Sequence, residues 1–239
     1  MVKVINEVCG SAHLKLITIK EVINSIETGS TVLSPLQQVA QWGVDYLCNT
    51  NPDIGRPGVV CPWSAVAKEK ETFWLTELTT RGRKEQDVYH DILSAIKCFN
   101  QQLPLNCVDT QYKTIVITLP DVNPENKIND LHTLLKPAFL EAGLMLGEFF
   151  STCTKPGLRN SAFHPLRSPI PLLVVREMVE FDIAFLADSK VNVINYLKCH
   201  GEKGKTAIRT LLKNNQRLDL SPQKITVLEE VIADYASNT

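Results

Sequence analysis

The segment Leu144–Asp182, LMLGEFFSTCTKPGLRNSAFHPLRSPIPLLVVREMVEFD, limits what this chain can fold into more than any other stretch. Two apolar runs, Leu144–Phe150 and Ile170–Val175, enclose Pro156, Pro165 and Pro169, and Pro171 stands inside the second run. Each proline fixes φ and removes a backbone donor, so neither a helix nor a central strand fits between the runs. A long irregular segment in a compact domain is uncommon, and is usually either functional or disordered. Leu158, Phe163, Leu166 and Ile170 are interspersed through it and gain by burial, which argues for order. An ordered, basic, proline-stiffened loop between two core strands is the first place to look for a site.

Three helix starts are marked outside this segment. Thr18-Ile-Lys-Glu21 has the capping-box pattern, Ser34-Pro35-Leu36-Gln37 puts a hydroxyl at the N-cap, proline at N1 and glutamine at N3, and Ser221-Pro222 repeats the first two of those three elements. Leu36, Val39, Ala40, Gly43, Val44 and Leu47 recur at helical spacing and predict one helix with a single buried stripe. Val88, Ile92, Leu93, Ile96 and Phe99 make a second stripe, ended by Pro104. Further helices are expected over Asn129–Gly143, 189–199, 204–214 and 222–236. Strands are expected at Thr72–Thr80, Thr114–Leu119, Leu144–Phe150 and Pro171–Met178. Thr114-Ile-Val-Ile-Thr-Leu is β-branched and apolar on both faces, as an interior strand requires. This order predicts an α+β chain, one domain over 1–239, with a mixed or antiparallel sheet flanked by helices and a helical C-terminal third.

A formal charge of −1 lacks the basic excess that tracking phosphates demands, so nucleic acid is not an expected partner. No apolar run approaches the length of a membrane span or the core of a signal peptide. The cysteines at 9, 48, 61, 98, 107, 153 and 199 are odd in number, scattered, and include no CxxC pair. Reduced thiols in a cytoplasmic protein are the expectation.

Gly204-Lys205-Thr206 imitates the end of a phosphate-binding P-loop, but Cys199 stands where that motif needs glycine and a helix is expected where it needs a strand. Gly201 and Gly204 are read instead as a helix C-cap and restart. The histidines at 13, 90, 132, 164 and 200 are isolated from one another. His90 reads as a surface helix residue, and His132, near Asp130, as a solvated or capping one. His164 precedes Pro165 inside the loop, as a carbonyl-bonded structural residue or as a metal ligand or base. Cys61 precedes Pro62 at a helix start, where thiolate is favoured, so it is a candidate nucleophile or soft ligand against a default of inert burial. Trp63 and Trp74 are core residues or pocket walls. Arg167 and Arg176 suit bidentate capture of a carboxylate, with Glu148, Glu177 or Asp182 as alternative partners for Arg176. Glu148, beside an apolar strand end, is a candidate general base, because such surroundings disfavour the ionised carboxyl.

Leu135–Phe149 together with Phe163–Met178, and the segment Gly55-Arg-Pro-Gly-Val-Val-Cys61-Pro62, resemble an uncharacterised bacterial family that carries only a domain-of-unknown-function label. Members are often encoded beside non-ribosomal peptide or polyketide genes. The likeness covers roughly 47–186. The family pattern has histidine where this chain has Phe150 and Arg159. A weaker likeness, through the Cys-Pro element and the proline-rich segment, is to YqcI/YcgG-like proteins, some of them heme-dependent oxygenases acting on amino-acid nitrogen. What these likenesses imply is a tailoring enzyme of specialised metabolism, with heme ligated by His164 or Cys61 and with Arg167 and Arg176 on propionates or a substrate carboxylate. The alternative is a non-catalytic protein that holds an acidic metabolite or a carrier-bound intermediate; a homodimer is left open.

Overall fold

The computed structural model describes residues 14–27, 32–123, 127–214 and 220–237. A five-stranded mixed sheet is formed by β1 (Ile17–Thr18), β2 (Phe73–Glu77), β3 (Thr114–Thr118), β4 (Leu144–Phe149) and β5 (Leu172–Glu177), in the order β1-β2-β3-β5-β4. The β-branched run at Thr114–Thr118 is buried at every position, as a central strand with both faces covered must be. It pairs parallel with β2 and antiparallel with β5. The parallel pairing needs a long crossover, supplied by α4 (Glu85–Gln101).

Strand alternation sorts side chains between two layers. Ile115, Ile117, Leu173, Val175 and Leu146 meet α4 and α5 (Lys127–Glu141) through Ile92, Phe99 and Phe139. On the other face Phe73, Leu75, Val116 and Leu172 meet α1 (Ile19–Asn24), α2 (Pro35–Trp42) and α3 (Pro62–Glu69) through Ile19, Val22, Val39 and Ala67. A third cluster joins Met145 and Met178 to α6 (Ile183–Leu186), α7 (Lys190–Lys213) and α8 (Pro222–Ser237). The α+β architecture with a helical C-terminal third is therefore present, and its sheet is mixed. Both expected capping boxes form, at Thr18 and at Ser34.

Two local expectations are corrected. The stripe from Leu36 to Leu47 predicted one regular helix, but at Gly43 the chain passes into a π-helical turn, Gly43–Leu47. A Cβ at Gly43 would lie 3.3 Å from Ile19 Cδ1, so the missing side chain lets this turn press against α1. Gly201 does break α7, at φ 52 and ψ −129, but Gly204 is a contact point rather than a restart. A Cβ there would lie 3.0 Å from atoms of Tyr196 and His200. Lys205 donates to Glu202 and lies over the Tyr235 ring, which removes the P-loop imitation from consideration. Among the described residues no helix is long and apolar enough to cross a membrane.

Candidate functional site

The connection between β4 and β5, residues 150–171, contains neither helix nor strand. Its order comes from anchoring on every side. Leu166 packs on the α4/α5 core, Ile170 on the α1–α3 core and Leu158 on the C-terminal cluster. Backbone bonds add Phe150 N–H to Leu166 O at 3.2 Å, Gly157 N–H to Phe163 O at 2.7 Å and Leu119 N–H to Pro171 O at 2.8 Å. The loop also docks on a second one, around Asn51–Gly58. Asn160 Nδ2 donates to Asp53 O at 2.7 Å, and Gly55, at φ 74, lies so close that a Cβ would sit 3.0 Å from Arg159 Cβ. That contact explains why glycine stands at the head of the Gly-x-x-Gly-x-x-Cys-Pro segment.

Between this loop and the end of α2 run two adjoining clefts that share Trp42 and Arg167. One, about 530 Å³, is lined by Gln38, Gln41, Trp42, Asp45, Arg167 and Ser168 among others. The other, about 500 Å³, is lined chiefly by Trp42, Tyr46, Asp53, Phe163, His164 and Arg167. Both fall in the size range of small-molecule sites. The π turn sets the wall: Trp42 and Tyr46 stack at 5.7 Å, Trp42 meets Phe149 edge-on at 5.7 Å, and Phe163 closes against Tyr46 at 6.4 Å. Helical turns of this type frequently mark functional positions. Burial raises the Tyr46 phenol pKa, opposed by the nearby Arg167 charge.

Arg167 is exposed in the groove. Its Nε donates to Cys153 O at 3.1 Å, and among the described residues Nη1 and Nη2 are unengaged. Across the groove, Asp45 accepts from Gln41 Nε2 at 2.6 Å through Oδ2. His164 Nδ1 lies 3.4 Å from Lys155 O.

Arg176 has a different setting at the far end of β5. It makes a bidentate pair with Asp182 at 2.7 and 2.5 Å, and Asp182 also accepts from Val179 N–H at 2.8 Å. Burial would lower the guanidinium pKa, but Asp182 overrides it and holds the charge. The structural partner weighed against anion capture is thus the one present. Cys61 lies on this side too, as the half-buried N-cap of α3, and Trp63 stands 6.0 Å from Arg176. Trp74 packs on the α4/α5 core, so the groove's tryptophan is Trp42 and neither of the two singled out from sequence.

Glu148 lies on the opposite sheet face from the groove's Phe149 and is 3% exposed. Lys155 bonds one carboxylate oxygen, and His132 Nε2 lies 3.0 Å from the other. The same Nε2 is 2.9 Å from Leu146 O, so the nitrogen facing two acceptors carries the proton. His132, expected to be solvated, is buried. Burial first, then the Lys136 and Lys155 charges, push its pKa down to about 3. The structure therefore brings His164 and Arg167 together, sets Arg176 beside Cys61, and gives Glu148 partners of its own, the buried His132 and the exposed Lys155. Sequence reading missed Trp42, Tyr46 and Asp45. The available signal was Trp42 and Tyr46 at i, i+4 just off the buried stripe, where apolar rings need another surface.

A family model, domain of unknown function DUF6875, matches residues 36–211. The chain belongs to the DUF6875 family. The match runs wider than the expected 47–186 and takes in α2 from Leu36, so Trp42, Asp45, Tyr46, His164 and Arg167 all lie within the DUF6875 region. No curated protein and no solved structure matches the chain.

Proposed function

We propose that the groove between α2 and the β4–β5 loop binds a small amino-acid-like molecule. Its carboxylate would rest on Arg167, its ammonium on Asp45, and its apolar body on Trp42. The observation that carries this proposal is Arg167, ordered through Nε while both outer nitrogens point no bond at a described residue. A guanidinium offering two parallel donors beside an aromatic wall is matched in shape and charge to a carboxylate. The likeness to proteins encoded beside non-ribosomal peptide and polyketide genes supports an acidic intermediate of specialised metabolism, free or carrier-bound, as the ligand. A holding or delivering role needs no more than this binding.

Thermal unfolding in the presence of L-tryptophan and L-phenylalanine tests it. Ligand that binds the native state raises the midpoint by mass action. L-Phenylalanine is expected to stabilise, phenethylamine and 3-phenylpropionate to stabilise less, and Arg167→Ala to abolish the gain. Equal stabilisation by the amine and the amino acid, or none by any amino acid, would sink the proposal.

One observation favours a second reading, a heme protein. An imidazole whose Nδ1 is directed at a carbonyl, here Lys155 O, keeps Nε2 available as a ligand, and His164 stands among Trp42, Tyr46, Phe163 and Arg167. In that reading His164 would hold the iron and Arg167 a propionate, and heme would supply oxygen and one-electron chemistry. Protein mixed with heme should give a Soret band that shifts in His164→Ala. A band unchanged by that substitution rules His164 out as the ligand.

A further inference from the structure

The Asn51–Gly58 loop that walls one cleft is closed at its base by a short antiparallel contact. Thr50 and Val59 form a bridge pair. One step toward the core, Val60 N–H donates to Asn49 O at 2.8 Å and Cys61 N–H donates to Leu47 O at 2.8 Å. The two accepting carbonyls, of Asn49 and Leu47, flank Cys48, so Cys61 is held beside Cys48 by its bond to the preceding residue. That 2.8 Å bond from Cys61 N–H to the carbonyl of the residue before Cys48 keeps the two cysteine backbones in contact. Disulfides accept Cα separations of about 4.4–6.8 Å. Both thiols are free and half-buried. Burial raises the Cys48 pKa, Lys68 opposes it, and the neighbouring Cys61 raises it further.

We infer that Cys48 and Cys61 form a dithiol site that a small-molecule disulfide such as oxidised glutathione converts to an intramolecular disulfide. One thiolate attacks a sulfur of the reagent, forming a mixed disulfide and releasing one equivalent of glutathione thiolate. The second cysteine thiolate then attacks its neighbour's sulfur and releases the other equivalent. The reagent takes up two electrons, the cysteine pair loses them, and two protons pass to the departing thiolates. The product ties the C-terminal end of the π turn, which carries Tyr46, to the N-cap of α3. It closes the 49–60 loop covalently and so fixes the wall that carries Asp53. This inference does not depend on what the groove binds, because the bond is read by mass.

The reduced full-length chain is treated with oxidised glutathione, capped with N-ethylmaleimide, digested without reductant and mapped by mass spectrometry. The peptides containing Cys48 and Cys61 are expected to appear joined, two hydrogens lighter than their sum. The exposed Cys107 and Cys199 provide the comparison, since glutathione adducts there show that the oxidant was active. Cys48→Ser is expected to leave Cys61 as a stable glutathione adduct. Recovery of Cys48 and Cys61 capped, or as separate glutathione adducts in the unsubstituted chain, while Cys107 or Cys199 is modified, overturns the inference.

Discussion

Arg167 and Arg176 stand nine residues apart, one before β5 and one near its end, and from the sequence they invite the same role. Their surroundings make them opposites. Arg176 is the next-to-last residue of β5, where the turn Val179–Asp182 folds a carboxylate back onto it and that carboxylate is itself capped by a backbone N–H. Arg167 precedes β5 in the irregular loop, where its only bond to a described residue is a tether to the Cys153 carbonyl. A guanidinium whose hydrogen bonds are filled from within holds the fold together. One whose outer donors face a groove is available to a ligand. Residue type alone does not separate the two, because the difference lies in whether the chain nearby turns an acid inward.

The largest expected effect comes from breaking the buried half of this comparison. Asp182 is 1% exposed on its side chain and Arg176 23% exposed, so Asp182→Ala leaves an uncompensated buried charge. Breaking such a pair by removing one partner costs about 3–5 kcal/mol. Urea unfolding should show the unfolding free energy of Asp182→Ala falling by that amount, as a lower midpoint at an unchanged slope. The double variant Asp182→Leu/Arg176→Met should recover part of the loss, because no stranded charge remains. A single variant as stable as the parent would remove the contrast between the two arginines.

Much of the architecture was legible beforehand, for identifiable reasons. Four prolines excluded regular structure from the β4–β5 connection, and Leu158, Leu166 and Ile170 each found a separate apolar cluster, as their hydrophobicity required. Thr114–Thr118 could hardly be anything but interior. What could not be read was long-range register. His132 meets Glu148 only because α5 lays its buried face along β4, and an isolated histidine near Asp130 carries no trace of that. The groove's aromatic wall depends on a π turn that one glycine permits and no periodicity announces. The site was therefore half visible: the loop and Arg167 from composition, Trp42, Tyr46 and Asp45 only from packing.

The His132–Glu148 contact gives the next effect, on the side of the loop away from the groove. His132 has a folded-state pKa near 3 against 6.5 when unfolded, because burial and the Lys136 and Lys155 charges disfavour its cation. Stability from this group is complete above pH 6.5 and is lost as pH falls toward 3, since the unfolded chain takes up the proton first. The slope from one such proton approaches about 1.4 kcal/mol per pH unit. Urea midpoints between pH 7 and 4 should fall in the parent and fall less steeply in His132→Gln. Equal slopes would mean that His132 titrates alike in both states. Smaller again is Gly55→Ala, which forces a Cβ into the left-handed region and against Arg159; a loss of about 1–2 kcal/mol is expected, with the groove wall displaced.

The smallest stability effect belongs to the most informative residue. Arg167 is exposed and gives the fold one hydrogen bond, so Arg167→Ala should move the unfolding free energy by no more than about 0.5–1 kcal/mol. Its consequence should show in ligand response, where the midpoint gain with L-phenylalanine disappears. Arg167→Lys keeps the charge but not the parallel donor pair, and should retain only part of that gain, since a point charge cannot satisfy both carboxylate oxygens at once. The two arginines then exchange signatures. Loss of the Arg176 pair lowers stability and leaves the ligand-induced shift in whatever remains folded, whereas loss of Arg167 leaves stability and removes the shift. If Arg167→Ala instead unfolds the loop and lowers stability as far as Asp182→Ala does, Arg167 is a second structural arginine and the groove has lost its anchor.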